Sequence, residues 1–318
     1  MSTLILTRQD VSRLVEMRDV ISVVEQGFRD HASGNALMKP KTYLNVDNGD
    51  FRAMPGAVPG GAGVKWVNVH PRNHERGLPT VMGVFVYSDP ATGYPLAIMD
   101  ATEITAYRTA ATSAVASKHM ARADSRVLGL VGAGCQARMH IESHRQLFDL
   151  KLIKVNDACP EAIEALMHEY PDLTILAASP REVAGSDILC TLTPSRKPII
   201  RDSWVNPGTH INAVGADAPG KQELDPAILS RSRVVVDDVT QACHSGEINV
   251  SIRDGLFKCE NIWATLGEIV SSSKPAREHQ DMITVFDSTG LAIEDVATAH
   301  LVYEKAQIRD GFLRVDLV

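Results

Sequence analysis

The sequence predicts an α/β protein in which a doubly wound parallel sheet follows a separate, β-rich domain. Three observations predict it. From about residue 127 to 286, apolar runs alternate with helical stretches, the rhythm of parallel strands joined by crossovers. From about 40 to 100, short β-rich runs follow one another with only Pro, Gly and Asn turns between them, as in a largely antiparallel sheet. At the junction stands Val127-Leu-Gly-Leu-Val-Gly132-Ala-Gly134-Cys-Gln-Ala137, which reads as strand, glycine turn and helix.

Taken in order, residues 8–33 read as a helix. Thr7 and Asp10 can form a capping pair, Val20, Val24 and Phe28 recur at helical spacing, and Gly34 is a stop. Val64 to Val69, Val81 to Tyr87 and Leu96 to Asp100 are strands. Residues 103–121, rich in Ala and Thr, form a helix. Strands of the parallel sheet are expected near 127–131, 152–156, 173–177, 187–192, 209–214, 233–237 and 282–286, with helices near 136–149, 160–170, 180–185, 225–230 and 263–272. A last helix runs from Gly290 to about Ala306. The expected organisation is a substrate-binding and dimerisation domain over 1–121, to which 291–318 return, and a nucleotide domain over 122–290.

The glycine turn carries chemistry. Gly132 permits the tight turn, Gly134 lets the backbone approach a pyrophosphate, and the small Ala137 lets helix and strand pack closely. Cys135 and Gln136 open the helix whose free N–H groups and dipole would face the phosphates. Asp157 ends the next strand at about the spacing, roughly 20 residues, at which an acid takes the ribose hydroxyls of NAD. No arginine follows directly to take a 2′-phosphate, so NAD is expected rather than NADP. The alternative is a chance glycine turn, which leaves the flanking strands and acid unexplained.

Composition excludes several classes. The chain has 318 residues, 44% of them hydrophobic, which suits about two globular domains. A formal charge of −7, with no basic run, argues against nucleic-acid binding. The N-terminus lacks a signal-peptide pattern and no stretch approaches the roughly 18 apolar residues of a membrane span. Cys135, Cys159, Cys190, Cys243 and Cys259 show no C-x-x-C spacing, which argues against a zinc site or a disulfide framework and for a reducing cytoplasm. No cluster of His, Cys and carboxylate stands at ligand spacing, so no metal is expected. No G-x-S-x-G elbow supports a serine hydrolase.

Lys65 lies mid-strand on the face of Val67 and Val69. It is either an edge-strand gatekeeper or an ammonium partly desolvated so that it titrates near neutrality. Arg52 and Arg108 have small neighbours, and a guanidinium fork matches a carboxylate or phosphate; the plain alternative is a surface salt bridge. Lys41, after Pro40, is a weaker cationic candidate. Asp217 falls just past the carboxyl end of the 209–214 strand, where open α/β sheets bind ligands. It can act as general acid/base or merely form an Asx-turn. Thr191, Thr193 and Ser288 occupy the same edge and can meet a nicotinamide riboside or cap turns. His70 is placed to line the site, and His210 reads as structural.

Together, Gly63-Val-Lys-Trp-Val-Asn-Val-His-Pro71, Gly77 to Met82, Leu96 to Asp100, Arg108-Thr-Ala-Ala111, Val131-Gly-Ala-Gly-Cys-Gln-Ala137 and Ala213-Val-Gly-Ala-Asp-Ala-Pro-Gly-Lys-Gln-Glu-Leu-Asp225 resemble the ornithine cyclodeaminase/μ-crystallin family over nearly the whole chain. Phe51 to Pro55, Ser195 to Pro198 and Phe286 to Ile293 look most like its archaeal-type L-alanine dehydrogenase branch. The resemblance implies a homodimer built through the β-rich domain and a Rossmann-type NAD(H) domain. It implies Lys65 and Asp217 as catalytic residues, with Arg52, Lys65, Arg108 and Lys41 near the substrate carboxylate. Thr80, Arg108, Val214 and Gly215 join the cofactor set, Thr80 beside the nicotinamide. The chain departs from its relatives at Lys41, where arginine is usual. The cyclodeaminases resemble this chain but carry glutamate where Arg52 stands. Arg52 would repel the distal ammonium of ornithine, and like charges at close range in a low-dielectric site cost kcal/mol rather than tenths. The expected reaction is therefore oxidative deamination of L-alanine by an NAD-dependent amino-acid dehydrogenase, with ornithine cyclodeamination or ketimine reduction as the alternatives.

Overall fold

The computed structural model describes residues 2–317. They form two compact units: one runs to Thr109 and resumes at Leu291, and the other is Ala110–Gly290.

The first unit carries a sheet with β1 (Thr3–Leu6), β2 (Leu37–Met38), β3 (Thr42–Val46), β4 (Gly49–Val58), β5 (Gly61–Val69), β6 (Val81–Ser88), β7 (Pro95–Asp100) and β16 (Leu313–Val315). Its order is β16-β1-β7-β6-β5-β4-β2, with β3 also on β4; every pairing is antiparallel except β1 with β7. Helices α1 (Arg8–Leu14) and α2 (Met17–Ala32) stand where one helix is expected. Thr7 and Asp10 do cap α1 reciprocally, but Val15 and Glu16 are extended and break the run. Val15 is buried there, so tertiary packing overrides the helical period. Helix α3 (Ala101–Met120) runs from this unit into the next.

The second unit is an all-parallel sheet. Its strands are β8 (Val127–Val131), β9 (Leu152–Asn156), β10 (Ile175–Ala177), β11 (Ile188–Thr191), β12 (His210–Ala213), β13 (Arg233–Val236), β14 (Ala264–Thr265) and β15 (Thr284–Asp287). The order β10-β9-β8-β11-β12-β15-β13-β14 reverses between β8 and β11, the switch point at which doubly wound sheets open a crevice for ligands. Helices α4 (Cys135–His144), α5 (Pro160–Glu169), α6 (Pro180–Ala184), α7 (Pro226–Arg231), α8 (Val239–Ser245), α9 (Ile248–Arg253) and α10 (Leu266–Val270) connect them. Two apolar clusters cover the two faces: Leu128 and Leu130 pack with Ala137 and Ile141 on one, Val131 and Leu189 with Ile211 and Val234 on the other. This double burial is why these strands read as apolar runs rather than alternations. The helix expected over 263–272 is strand β14 followed by a single short helix, because Ala264 pairs with Val235 of β13.

Helix α11 (Ala292–Gln307) belongs to the first unit and crosses α2 closely, with Gly27 facing Ala297. Among the described residues no helix is long and apolar enough to cross a membrane. One finding departs from the cysteine expectation: Cys243 of α8 and Cys259 are joined in a disulfide. Two isolated cysteines 16 residues apart carry no spacing signal; the fold alone brings them together.

Behind the parallel sheet lies a polar network. His210 bonds Thr284 and Asn212; Asn212 donates to Ser117, which meets His144; His140 meets Ser113. His210 is thus the satisfied structural residue expected. Burial pushes His140, His144 and His210 down to about 3, 4 and 3. Each is neutral in the fold and takes up a proton on unfolding below the ordinary imidazole value of 6.5. Their contribution to stability is complete above that value and lost as pH falls toward 3–4. Glu223 and Asp287 run the other way. Burial pushes them up to about 7 and about 8, so each is protonated in the fold. Their contribution is complete below the ordinary carboxyl range and lost as pH rises through 7 to 8. The two sets offset one another between about pH 4.5 and 6.5. The urea midpoint is expected to be flat there, to fall below about pH 4.5, and to fall again between about 6.5 and 8. A midpoint that rose steadily from 6.5 to 8 would contradict protonated Glu223 and Asp287.

Candidate functional site

In the first unit the alternation of β5 turns Lys65 and Val67 inward and Trp66 outward. Lys65 is 1% exposed. Its Nζ donates to Asp295 Oδ1 at 2.7 Å and to Thr105 Oγ1 at 3.2 Å. Burial, then the like charge of Arg108, holds it down to about 7, against the opposing pull of Asp295; Lys41, just before β3, lowers it further. The edge-strand reading of Lys65 is therefore set aside: β5 lies between β4 and β6.

Arg108, on α3, is also buried. Its Nε donates to Asp295 Oδ1 at 3.0 Å and its Nη1 to Glu294 Oε2 at 2.8 Å. Arg52, on β4, is 5% exposed, donates to Asp50 at 2.6 Å through Nε, and lies 5.3 Å from the centre of the Tyr43 ring. Neither arginine is a surface salt bridge. Thr80 lies on an exposed loop ahead of β6, and its carbonyl accepts from His70 N. His70 bonds Asn68 and meets Phe51 edge-on.

The acids Glu294 and Asp295 were not singled out from the sequence. They stand side by side in the first turn of α11 among Leu291, Ile293, Val296 and Ala297, and both are 0% exposed. Acids in an otherwise apolar helical stretch are the signal that points to them, because carboxylates are almost never fully buried unless paired.

In the second unit the glycine turn follows β8, beside the switch point, and the other expected cofactor residues follow β9, β11, β12 and β15. Gly132 has φ of 107°, and its N–H donates to Asn156 O. Gly134 is the N-cap of α4, with no side chain capping the helix, and a Cβ built there would meet nothing within 4 Å. Ala137 is fully buried against β8. Gln136 Oε1 is buried without a hydrogen-bond partner among the described residues. An uncapped helix start, open space above the glycine loop and an orphaned polar atom are the features a bound dinucleotide requires. Asp157 accepts from Ala133 N at 2.6 Å and from Cys159 N at 2.8 Å. Its carboxylate is therefore fixed beside the loop, and each oxygen keeps a lone pair for a ribose hydroxyl.

Thr191 ends β11, and its carbonyl accepts from Val214 N and Gly215 N. Ser288 follows β15 and donates to Ala213 O. Asp217 lies past β12, half-buried and paired with Lys221, so it is an ion pair on the ligand edge rather than a simple turn residue. A chain of buried carboxylates holds this edge together. Glu223 takes Thr193 N and Oγ1 on one oxygen and Gly215 N on the other. Glu247 takes the N–H groups of Glu223 and Leu224, and Asp287 those of Glu247 and Ile248. Asp237 takes Thr289 and Gly290. Burial raises Glu247 well above the ordinary carboxylate range, and neighbouring Glu223 adds to the rise. Among the described residues no group of three or more His, Cys, Asp or Glu is placed to hold a metal.

The sequence model of the ornithine cyclodeaminase/mu-crystallin family matches residues 1–310. The chain is 48% identical over 308 residues to alanine dehydrogenase of Archaeoglobus fulgidus, covering 96% of each. Its structure is similar to that of an archaeal alanine dehydrogenase dimer with bound NAD, with a TM-score of 0.98, 45% identity and 100% of each chain covered. It is also similar to Thermococcus litoralis Delta(1)-pyrroline-2-carboxylate reductase in complex with NADH and L-proline, with a TM-score of 0.93, 37% identity and coverage of 96% of this chain and 98% of that one.

The clamp at the carboxyl edge leaves no room. A methyl at Gly215 would lie 2.1 Å from Thr193 O and 2.5 Å from Glu223 Oε2. Gly215→Ala is expected to lower stability by about 1–3 kcal/mol, read as a lower urea midpoint at unchanged slope. Gly134→Ala, whose methyl meets nothing, is the control and should lose no more than about 1 kcal/mol, the cost of alanine at a helix N-cap. Equal midpoints for the two would mean that the clamp is loose.

Proposed function

The chain belongs to the ornithine cyclodeaminase/mu-crystallin family, and from its site we propose that it is an NAD-dependent amino-acid dehydrogenase that reversibly deaminates L-alanine to pyruvate and ammonia. The observation that carries the reading is the buried cationic set Arg52, Lys65 and Arg108 on neighbouring elements of one unit. A site for ornithine needs an anion for the distal ammonium. Here a buried guanidinium stands instead, and its fork suits a carboxylate. The 48% identity to an alanine dehydrogenase supports the same choice.

Gly132, Gly134, Cys135, Gln136, Ala137 and Asp157 would hold the pyrophosphate and adenosine ribose, while Thr191, Thr193, Val214, Gly215 and Ser288 would line the nicotinamide side, with Thr80 and Arg108 completing the set. When bound, the dinucleotide supplies a hydride acceptor or donor at its nicotinamide ring. The protein does the rest. Arg52 and Arg108, with Lys41 as a further cation, bind the substrate carboxylate and so fix the direction of the Cα–H bond; positioning of this kind is a main source of rate. Asp217 takes a proton from the water that adds to the imine and passes it to the amine nitrogen, which leaves as ammonia when the carbinolamine collapses to the 2-oxo acid. Lys65, in its ammonium form, donates to the carbinolamine oxygen as charge develops there. In the amination direction the same ammonium donates to the pyruvate carbonyl.

A dimer fits the first unit. The sheet face bearing Trp66 and Val84, each 46% exposed and paired across β5 and β6, is apolar where a solvated face would be polar. We infer that a second copy of the chain covers it.

Four measurements test this reading. Pyruvate with ammonium should consume NADH stoichiometrically; if it does not, and cyclic pyrroline-2-carboxylate does, the substrate assignment moves to the ketimine. Lys65→Ala should leave NADH binding within about twofold of wild type and lower kcat by at least 10²-fold. Retention of most of the kcat would remove Lys65 from the chemistry. Since the lysine loses its proton near pH 7, kcat for amination at a fixed concentration of free ammonia should decline as pH rises through about 7. Light scattering should give a dimer, and Trp66→Lys a monomer; a monomeric wild type would sink the interface.

A further inference from the structure

Lys65 and Arg108 converge on one atom. Lys65 Nζ donates to Asp295 Oδ1 at 2.7 Å, and Arg108 Nε donates to the same oxygen at 3.0 Å. The other oxygen, Oδ2, is buried and has no hydrogen-bond partner among the described residues. A carboxylate that served only to neutralise two buried cations would give each its own oxygen, or take the guanidinium in a fork. Loading both donors on Oδ1 leaves Oδ2 unsatisfied, which a buried carboxylate tolerates poorly. The arrangement gains geometry instead. One acceptor locates the lysine nitrogen and the arginine Nε relative to each other. Glu294 holds Nη1 of the same guanidinium at 2.8 Å, so the arginine is held at two of its nitrogens by two different acids. Adjacent acids on one turn of α11 thus clamp Arg108 from two sides and tie Lys65 to it.

We propose that Asp295 is a positioning residue, whose Oδ1 fixes Lys65 Nζ beside Arg108 and keeps the lysine charged when the substrate carboxylate arrives. This rests on the reading of Lys65 as the proton donor. The groups facing Lys65 make the consequence plain. Arg108 of α3 and Lys41 ahead of β3 are cations, Thr105 of α3 is neutral, and Asp295 of α11 is the one acid that opposes them directly. Glu294 reaches the lysine only through Arg108. Without Asp295, Lys65 faces cations alone in a dry site and gives up its proton at lower pH.

The test is the titration of Lys65 itself, followed by NMR of protein labelled with 13C at the lysine ε-carbons. The Lys65 resonance is the one missing from Lys65→Gln. In the wild type its midpoint should lie near 7. In Asp295→Asn it should fall by about one unit or more, and the alkaline limb of the pH–kcat profile should move with it. Asp295→Glu keeps the charge but displaces the oxygen by a methylene. Its midpoint should stay within about half a unit of wild type while kcat falls by roughly tenfold or more and KM changes less. An unshifted midpoint in Asp295→Asn overturns the proposal, as does full kcat in Asp295→Glu, which carries the test alone if Asp295→Asn does not fold. The two readings fail separately. A shifted midpoint in a protein inactive on every amino or imino acid keeps the positioning role and removes the proposed reaction. An unshifted midpoint in an active alanine dehydrogenase does the reverse.

Discussion

A parallel sheet ends abruptly, and the backbone N–H groups beyond its last ladder bond must be satisfied without water. That constraint shapes the whole carboxyl edge of the second unit. Glu223 takes one N–H group from each of two loops, and Glu247, Asp287 and Asp237 each take two from a neighbouring segment, so the loops after β11, β12, β13 and β15 are tied in series. A buried N–H left unpaired costs about 1–3 kcal/mol, so several at one edge would outweigh much of a domain's net stability. Satisfying them with carboxylates has its own consequence. The acids lie close to one another in a dry region, and burial raises Glu223, Glu247 and Asp287 above the ordinary carboxylate range. In the protonated form they relieve mutual repulsion while still accepting from the backbone. The glycine at 215 follows from the same packing, since Thr193 and Glu223 fill the space a side chain would need.

The first unit solves the opposite problem, which is to bury cations. Arg52, Lys65 and Arg108 are matched by Asp50, Asp295 and Glu294, all on the same unit. Removing one partner of such a pair costs about 3–5 kcal/mol, whereas an apolar replacement of the whole set is often neutral or stabilising. Stability alone therefore gives no reason for the cluster. A ligand that needs fixed positive charge does. The lysine differs from the arginines in this respect. A guanidinium stays charged in any protein environment, but an ammonium responds to burial, and here it is held near neutrality. The site thus combines permanent charge for binding with one titratable charge for proton transfer.

The sequence reveals the second unit better than the first, for a physical reason. Parallel strands buried on both faces are continuous apolar runs, and the glycine turn between β8 and α4 requires particular residues at Gly132, Gly134 and Ala137. These are local signals, so seven of its strands are legible where they occur, and only β14, two residues long, is read as helix. In the first unit β4 escapes notice. Its run Gly49–Val58 contains Asp50, Arg52, Pro55 and Gly56, which propensity disfavours, and tertiary pairing with β3 and β5 overrides it. Helix α2 is legible from Val20, Val24 and Phe28, but the break at Val15 and Glu16 is not, since no Gly or Pro marks it.

The functional residues divide along the same line. Lys65, Arg52, Arg108 and Asp217 are odd for their surroundings, a cation among valines or an acid at a strand end, and oddness is visible one residue at a time. Their partners are not visible in that way. Nothing near Lys65 in the chain announces that Asp295, 230 residues away, will meet it. The clue lies at the far end, where Glu294 and Asp295 interrupt an apolar helical face that has no need of them. A buried charge in a folded protein obliges a second one, so each unexplained cation in one segment is a reason to look for an unexplained acid in another. Asp295 answers two such cations at once through a single oxygen. That economy leaves its other oxygen without a hydrogen-bond partner among the described residues, and it is what separates this acid from Asp50, which meets Arg52 with both of its oxygens.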